Sequence, residues 1–149
     1  MDYLIAFLIW TFVAYWTHRI VHSVQPFKDW HADHHRTVDT GQETGRHWSN
    51  YFFWVDSWKS TLDFWVVEII PLAIVCWLMG TWLLFVPYWI WVAFLQEKVE
   101  HDPTFRIPGF TSGTWHMVHH SNCRTNFGTF IPIWDKLFGT YAAVVHLRK

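Results

Sequence analysis

Charge is scarce in this sequence. Asp, Glu, Lys and Arg together make up 15% of its 149 residues, against about 25% in an ordinary soluble domain. The net charge is −1, so there is no basic surplus, and no nucleic-acid partner is expected. Only two cysteines occur. Cys76 falls in an apolar run and Cys123 in a polar segment, which argues against a disulfide between them. Linkers, internal repeats and low-complexity tracts are missing too, so residues 1–149 read as a single domain. No H-E-x-x-H motif is present, which excludes a membrane zinc protease whose glutamate acts as base. The N-terminal apolar run has no basic leader and no small-residue cleavage site, and it is too long for a signal-peptide core. It is expected to stay in place as an anchor.

What is abundant is apolar: 52% of the chain, with thirteen Trp and thirteen Phe. Three stretches carry most of it: Tyr3 to Val21, Leu62 to Met79 and Trp82 to Val99. Each approaches the roughly 20 residues that cross a bilayer as a helix. A chain this short has too little polar surface to cover three helices that are apolar on every side. The expected fold is therefore all-α and membrane-integral, with three transmembrane helices and a helical, histidine-rich cap. Met1-Asp2-Tyr3 and the Gly80-Thr81 turn contain no Lys or Arg, while all eleven basic residues lie from Arg19 onward. Positive charge gathers on the cytoplasmic side. This places the N-terminus outside and both the cap and the C-terminus in the cytoplasm. Pro26 is expected to end the first helix. Pro71 and Pro87 fall inside spans, where a kink is tolerated. Short helices are expected at Trp30 to Val38 and Thr114 to Ser121, loops at Thr40 to Gly45 and Arg106 to Gly113, and a headgroup-level segment from His47 to Trp58.

Eleven histidines stand out against this background. Nine form a pattern: His18-x-x-x-His22, His31-x-x-His34-His35, His101, and His116-x-x-His119-His120. Residues four apart on a helix lie about 40° apart around the axis, so His18 and His22 aim at one place. In H-x-x-H-H the adjacent pair diverges by about 100°, which lets one motif serve two metals. A dinuclear centre follows, and iron suits a set of imidazoles with a carboxylate and few thiolates. The carboxylate is Glu97, four residues before His101. It is either a ligand or a snorkelling surface acid. Asp33 and Asp102, beside ligand histidines, are either acceptors for imidazole N–H groups or solvated acids. Asn126 either orients a ligand histidine or caps a turn. Glu68, two turns into the second span, faces the interior or sits at the interface. Asp135 is expected to be structural, and His47 and His146 lie outside the pattern.

These boxes, followed by Asn126-Phe127-Gly128 and by Trp134-Asp135-Lys136-Leu137-Phe138-Gly139-Thr140-Tyr141, resemble the fatty acid hydroxylase and sterol desaturase superfamily over nearly the whole chain. The resemblance implies two iron ions, with zinc found instead in some purified proteins, held under a cytosolic cap above a membrane-embedded lipid cleft. It also implies dioxygen as co-substrate and an external electron donor of the ferredoxin or cytochrome b5 type with its reductase. The implied reaction is hydroxylation or desaturation at an unactivated C–H bond of a fatty acyl chain, sterol or isoprenoid. Two departures stand out. Relatives commonly carry a histidine where Glu97 stands, and many have four or more spans. A bis-histidine haem protein would place its ligands within facing spans rather than at one membrane edge. The non-enzymatic alternative, a metal-binding or transport protein, would need polar residues along its spans, and apart from Glu68 these have almost none.

Overall fold

The computed structural model describes residues 2–41 and 47–143, without the side chain of Glu97. The stretch 42–46 of the expected loop and His146 fall outside the described residues. Among those described, every regular element is helical.

The first helix, α1 (Tyr3–Val21), has the expected bounds. Leu4, Ile5 and Ile9 are exposed while Ala6, Trp10 and Ala14 are buried. A helix apolar on both its packed and its open faces suits lipid better than water. It ends before Pro26, which instead starts α2 (Phe27–Asp39) as its N-cap. Proline fits there because the first N–H groups of a helix have no intrahelical acceptor.

The second apolar helix begins at Trp58, four residues earlier than expected, because the Ser57 hydroxyl accepts the Ser60 N–H and caps it. It runs as α3 (Trp58–Phe64), a π-helical turn (Trp65–Ile69) and α4 (Ile70–Met79), a continuous stretch of 22 residues. Gly80 closes it at φ 67°, a left-handed cap that suits glycine. Pro71 has no N–H, so the Val67 carbonyl lacks its helical donor. The Thr17 hydroxyl lies 3.1 Å from that carbonyl and shares its one proton between it and the Val13 and Ala14 carbonyls of its own helix, and the Trp10 indole N–H donates to the Glu68 carbonyl (3.1 Å). Side chains of α1 thus satisfy the backbone that the π turn and proline release, and the two long helices are joined at that depth.

The third apolar segment differs from expectation. After a 3-10 turn at Trp82–Leu84 come α5 (Phe85–Ile90), a second π turn (Trp91–Leu95) and α6 (Gln96–Val99). Its apolar part, Trp82–Leu95, reaches only about 21 Å at 1.5 Å per residue, short of the roughly 30 Å hydrocarbon core. Two helices, Tyr3–Val21 and Trp58–Met79, are long and apolar enough to cross a membrane. The core joins Ala6 and Trp10 of α1 to Phe64, Leu72 and Cys76 of the second helix and to Tyr88 and Val92 of the third segment.

Two short helices complete the described chain, α7 (Thr114–Ser121) and α8 (Ile133–Leu137). The segment around α8 lies along α1: the Trp134 indole donates to Thr11, Phe138 stacks on Tyr15, and the Tyr15 and Thr140 hydroxyls are 3.0 Å apart.

Candidate metal centre

The nine patterned histidines come from four places in the chain. His18 and His22 end α1, His31, His34 and His35 lie on α2, His101 follows α6, and His116, His119 and His120 lie on α7. They gather into two groups of four: His18, His22, His31 and His119, and His34, His101, His116 and His120. Within each group one ring nitrogen per residue lies within 4.8 Å of every other. His35 stands between the groups. Its Nε2 is 3.0 Å from that of His31 and 3.2 Å from that of His119, and its ring centre is 4.2 Å from that of His120.

Three of the outward nitrogens, all in the first group, are pinned. Nδ1–H of His18 donates to the Phe127 carbonyl (2.9 Å), that of His119 to the Thr125 carbonyl (2.8 Å), and that of His31 to Asp63 Oδ2 (2.9 Å). His35 Nδ1 faces the Cys123 sulfur at 3.7 Å. With its proton committed at Nδ1, a neutral imidazole presents a bare lone pair at Nε2. The Nε2 atoms of His18 and His119 are nevertheless 3.1 Å apart, and His22 Nε2 is equally close to that of His119. Two lone pairs facing at that distance repel unless a cation lies between them. The spacing also fits one: nitrogens about 2.1 Å from a metal and roughly 90–100° apart are separated by about 3.0–3.2 Å. The residues present therefore suit a metal ion held by imidazole.

Burial keeps these rings neutral, as ligation requires. It pulls the pKa of His22 from 6.5 down to about 4, and burial together with neighbouring imidazoles takes His35 and His119 to about 3. His31, His34, His116 and His120 are lowered by the same causes.

The supporting residues differ from those the sequence suggested. Asp33 is engaged by Arg36 (2.6 Å) and by Ser57 (2.5 Å), and these bonds hold its pKa below the usual carboxylate value. Asp102 takes the N–H and hydroxyl of Thr104. Asn126, fully buried at φ 59°, donates to the Trp115 and Ala142 carbonyls and accepts the Ala142 N–H. It touches no histidine among these bonds, yet it sits between Thr125 and Phe127, whose carbonyls hold His119 and His18. Asp135 completes that clamp by accepting the Phe127 and Gly128 N–H groups and the Thr140 hydroxyl at 2.7–2.8 Å. Asp63 and the two carbonyls went unnoticed in the sequence. A buried acid within an apolar helix was the one available signal for Asp63.

A cavity of about 360 Å³ adjoins the histidines. His18, His31, His34, His101 and His116 form part of its wall, and Phe64, Val67, Trp91, Val92 and Phe130 another part. Both π turns contribute to it, as such turns often do at functional sites.

Residues 3–140 match the fatty acid hydroxylase family, and the chain belongs to it. It is 30% identical to a Delta(7)-sterol 5(6)-desaturase of Aspergillus fumigatus over 87% of this chain and 36% of that protein. It is 25% identical to a very-long-chain aldehyde decarbonylase of Oryza sativa over 87% of this chain and 21% of that protein. A cholesterol 25-hydroxylase-like protein of Danio rerio is 33% identical over 55% of this chain and 31% of its own length. The chain thus spans about a third or less of these curated relatives. No solved structure matches it.

Proposed function

We propose that this chain is a membrane-bound, dioxygen-dependent di-iron oxidoreductase that hydroxylates or desaturates an unactivated C–H bond of a lipid. The observation that carries the reading is the facing of imidazole lone pairs, with His18, His31 and His119 turned inward by fixed acceptors on their far sides. One metal falls to His18, His22, His31 and His119, the other to His34, His101, His116 and His120, with His35 between them. Glu97 joins the second as a carboxylate donor in this reading on the strength of its sequence position alone, four residues before His101. Two iron ions would supply dioxygen activation and C–H oxidation when bound.

The protein's part is placement. The Phe127 and Thr125 carbonyls and Asp63 fix ring orientation. The cavity presents a substrate carbon beside the histidines, with Phe64, Val67, Trp91, Val92 and Phe130 as the apolar part of its wall. Electrons come from an external donor. The two long helices lie in the membrane with the N-terminus outside, and the histidine cap and C-terminus face the cytoplasm, which the distribution of Lys and Arg supports. The short third segment completes a single domain over residues 1–149. The test is lipid analysis of cells expressing the protein beside cells expressing His119→Ala. A product heavier by 16 mass units marks hydroxylation and one lighter by 2 marks desaturation. Identical lipid profiles in cells with iron and an electron donor would overturn the reading.

A further inference from the structure

The wall of the cavity is unexpectedly rich in hydrogen-bond acceptors for a site that handles lipid. Asp63, Glu68, Gln96 and Glu100 all line it. Asp63 and Glu68 are among the buried residues of the apolar helix, at 5% and 8% exposure. Glu68 is held in place by the Tyr88 hydroxyl, which donates to Oε2 at 2.7 Å. Two acceptors in this wall are buried and have no donor: Asp63 Oδ1, whose sister oxygen takes the His31 proton, and Gln96 Oε1. A buried acceptor left without a donor costs free energy that a bound donor restores. Positive charge is missing as well, since no described residue of the wall is Lys or Arg. A carboxylate or phosphate head seated against this part of the wall would meet three acids and no Lys or Arg, and the only positive charge on offer would be that of the metal ions held by the histidines. A plain hydrocarbon would leave both acceptors unsatisfied.

We propose that the cavity selects a lipid alcohol, one whose hydroxyl lies close to the carbon being oxidised and donates its one proton to an acceptor among Gln96, Glu68 and Asp63. This rests on the oxygenase reading for the position of the reacting carbon, but the recognition itself does not need turnover. At about 360 Å³ the cavity is near the lower end for small-molecule sites. It accommodates the functionalised end of a lipid rather than a whole long chain.

The experiment is equilibrium binding to the purified, metal-loaded protein in detergent, read by native mass spectrometry. Two scaffolds are used: octadecan-1-ol with its methyl ether and with octadecanoic acid, and a saturated sterol with its methyl ether and with its hemisuccinate. On at least one scaffold the alcohol should bind about tenfold more tightly than both partners. Gln96→Leu and Glu68→Leu should each cut that preference to threefold or less while the metal content stays at the parent level. An ether or acid that binds as well as the alcohol on both scaffolds overturns the proposal, as does a preference that survives both substitutions. Failure of the oxygenase reading looks different: the alcohol preference holds, yet the same loaded protein given dioxygen and an electron donor yields no oxidised lipid.

Discussion

Asp63 accepts the Nδ1 proton of His31 at 2.9 Å across 32 residues of sequence. The bond ties the second long helix to the histidines of α2. Removing such a support typically costs a metal site about 10- to 100-fold in affinity. Asp63→Ala should lose metal to a chelator on that scale, measured by elemental analysis after dialysis. Asp33→Ala and Asp102→Ala, whose carboxylates serve Arg36, Ser57 and Thr104, should retain it. Equal retention by all three variants would remove Asp63 from the site's support.

The clamp at Asp135 predicts a defect in both stability and metal binding. Three donors converge on this fully buried carboxylate, and hydrogen bonds to charged groups contribute about 1.5–3 kcal/mol each. Asp135→Ala should lower the melting temperature in detergent and release the segment whose Phe127 carbonyl holds His18. Gly128→Ala should act similarly, because a Cβ there would come within 2.6 Å of Asp135 Oδ2. A variant that melts normally and keeps its metal would contradict the clamp.

Acid should destabilise the metal-free protein. His22, His35 and His119 are held at about 4, 3 and 3, below the ordinary 6.5, so the unfolded chain binds protons at a higher pH than the folded one. Stability is then complete above about pH 6.5 and drains away as pH falls towards 4. Thermal melts of chelator-treated protein should shift downward from pH 7.5 to pH 5. A midpoint that does not move over this range would contradict the expectation.

Glu97 is tested by two substitutions at one position. As a ligand it should lose metal at least tenfold when changed to Gln, which keeps the shape and removes the charge, while Glu97→His should restore binding and favour zinc more. Parental metal content in Glu97→Gln would leave a site of histidine alone.

Orientation is open to labelling in intact cells. Gly80 is exposed, and a Cβ there meets no atom within 4 Å. Gly80→Cys should therefore react with an impermeant thiol reagent from outside. The parent, with Cys76 buried and Cys123 on the cap, should not. The reverse pattern would invert the proposed topology.

Much of the site was legible because helical periodicity is a local rule. The spacing within His31-x-x-His34-His35 and His116-x-x-His119-His120 dictates which rings share a face, and α1 and α7 have the bounds their composition suggests. What holds those rings was not legible. Two of the acceptors are backbone carbonyls, at Phe127 and Thr125, which leave no trace in residue type. Adjacency also misled: neighbours on a helix point about 100° apart, so Asp33 beside His34 turns towards Arg36 and Ser57 instead. The third apolar run looked like a span because its composition continues to Leu95, but its second π turn and terminal polar residues shorten it.

The π turn at Trp65–Ile69 lets one helix obey two masters. Such a turn arises from a single extra residue in an α-helix, which offsets everything beyond it by about 100° around the axis. Upstream, the angular setting of the helix is dictated by Asp63 reaching His31. Downstream, it is dictated by Leu72, Val75 and Cys76 seating against α1. The inserted residue is a phase shift that reconciles the two, so that one continuous helix meets His31 at one end and packs against α1 at the other.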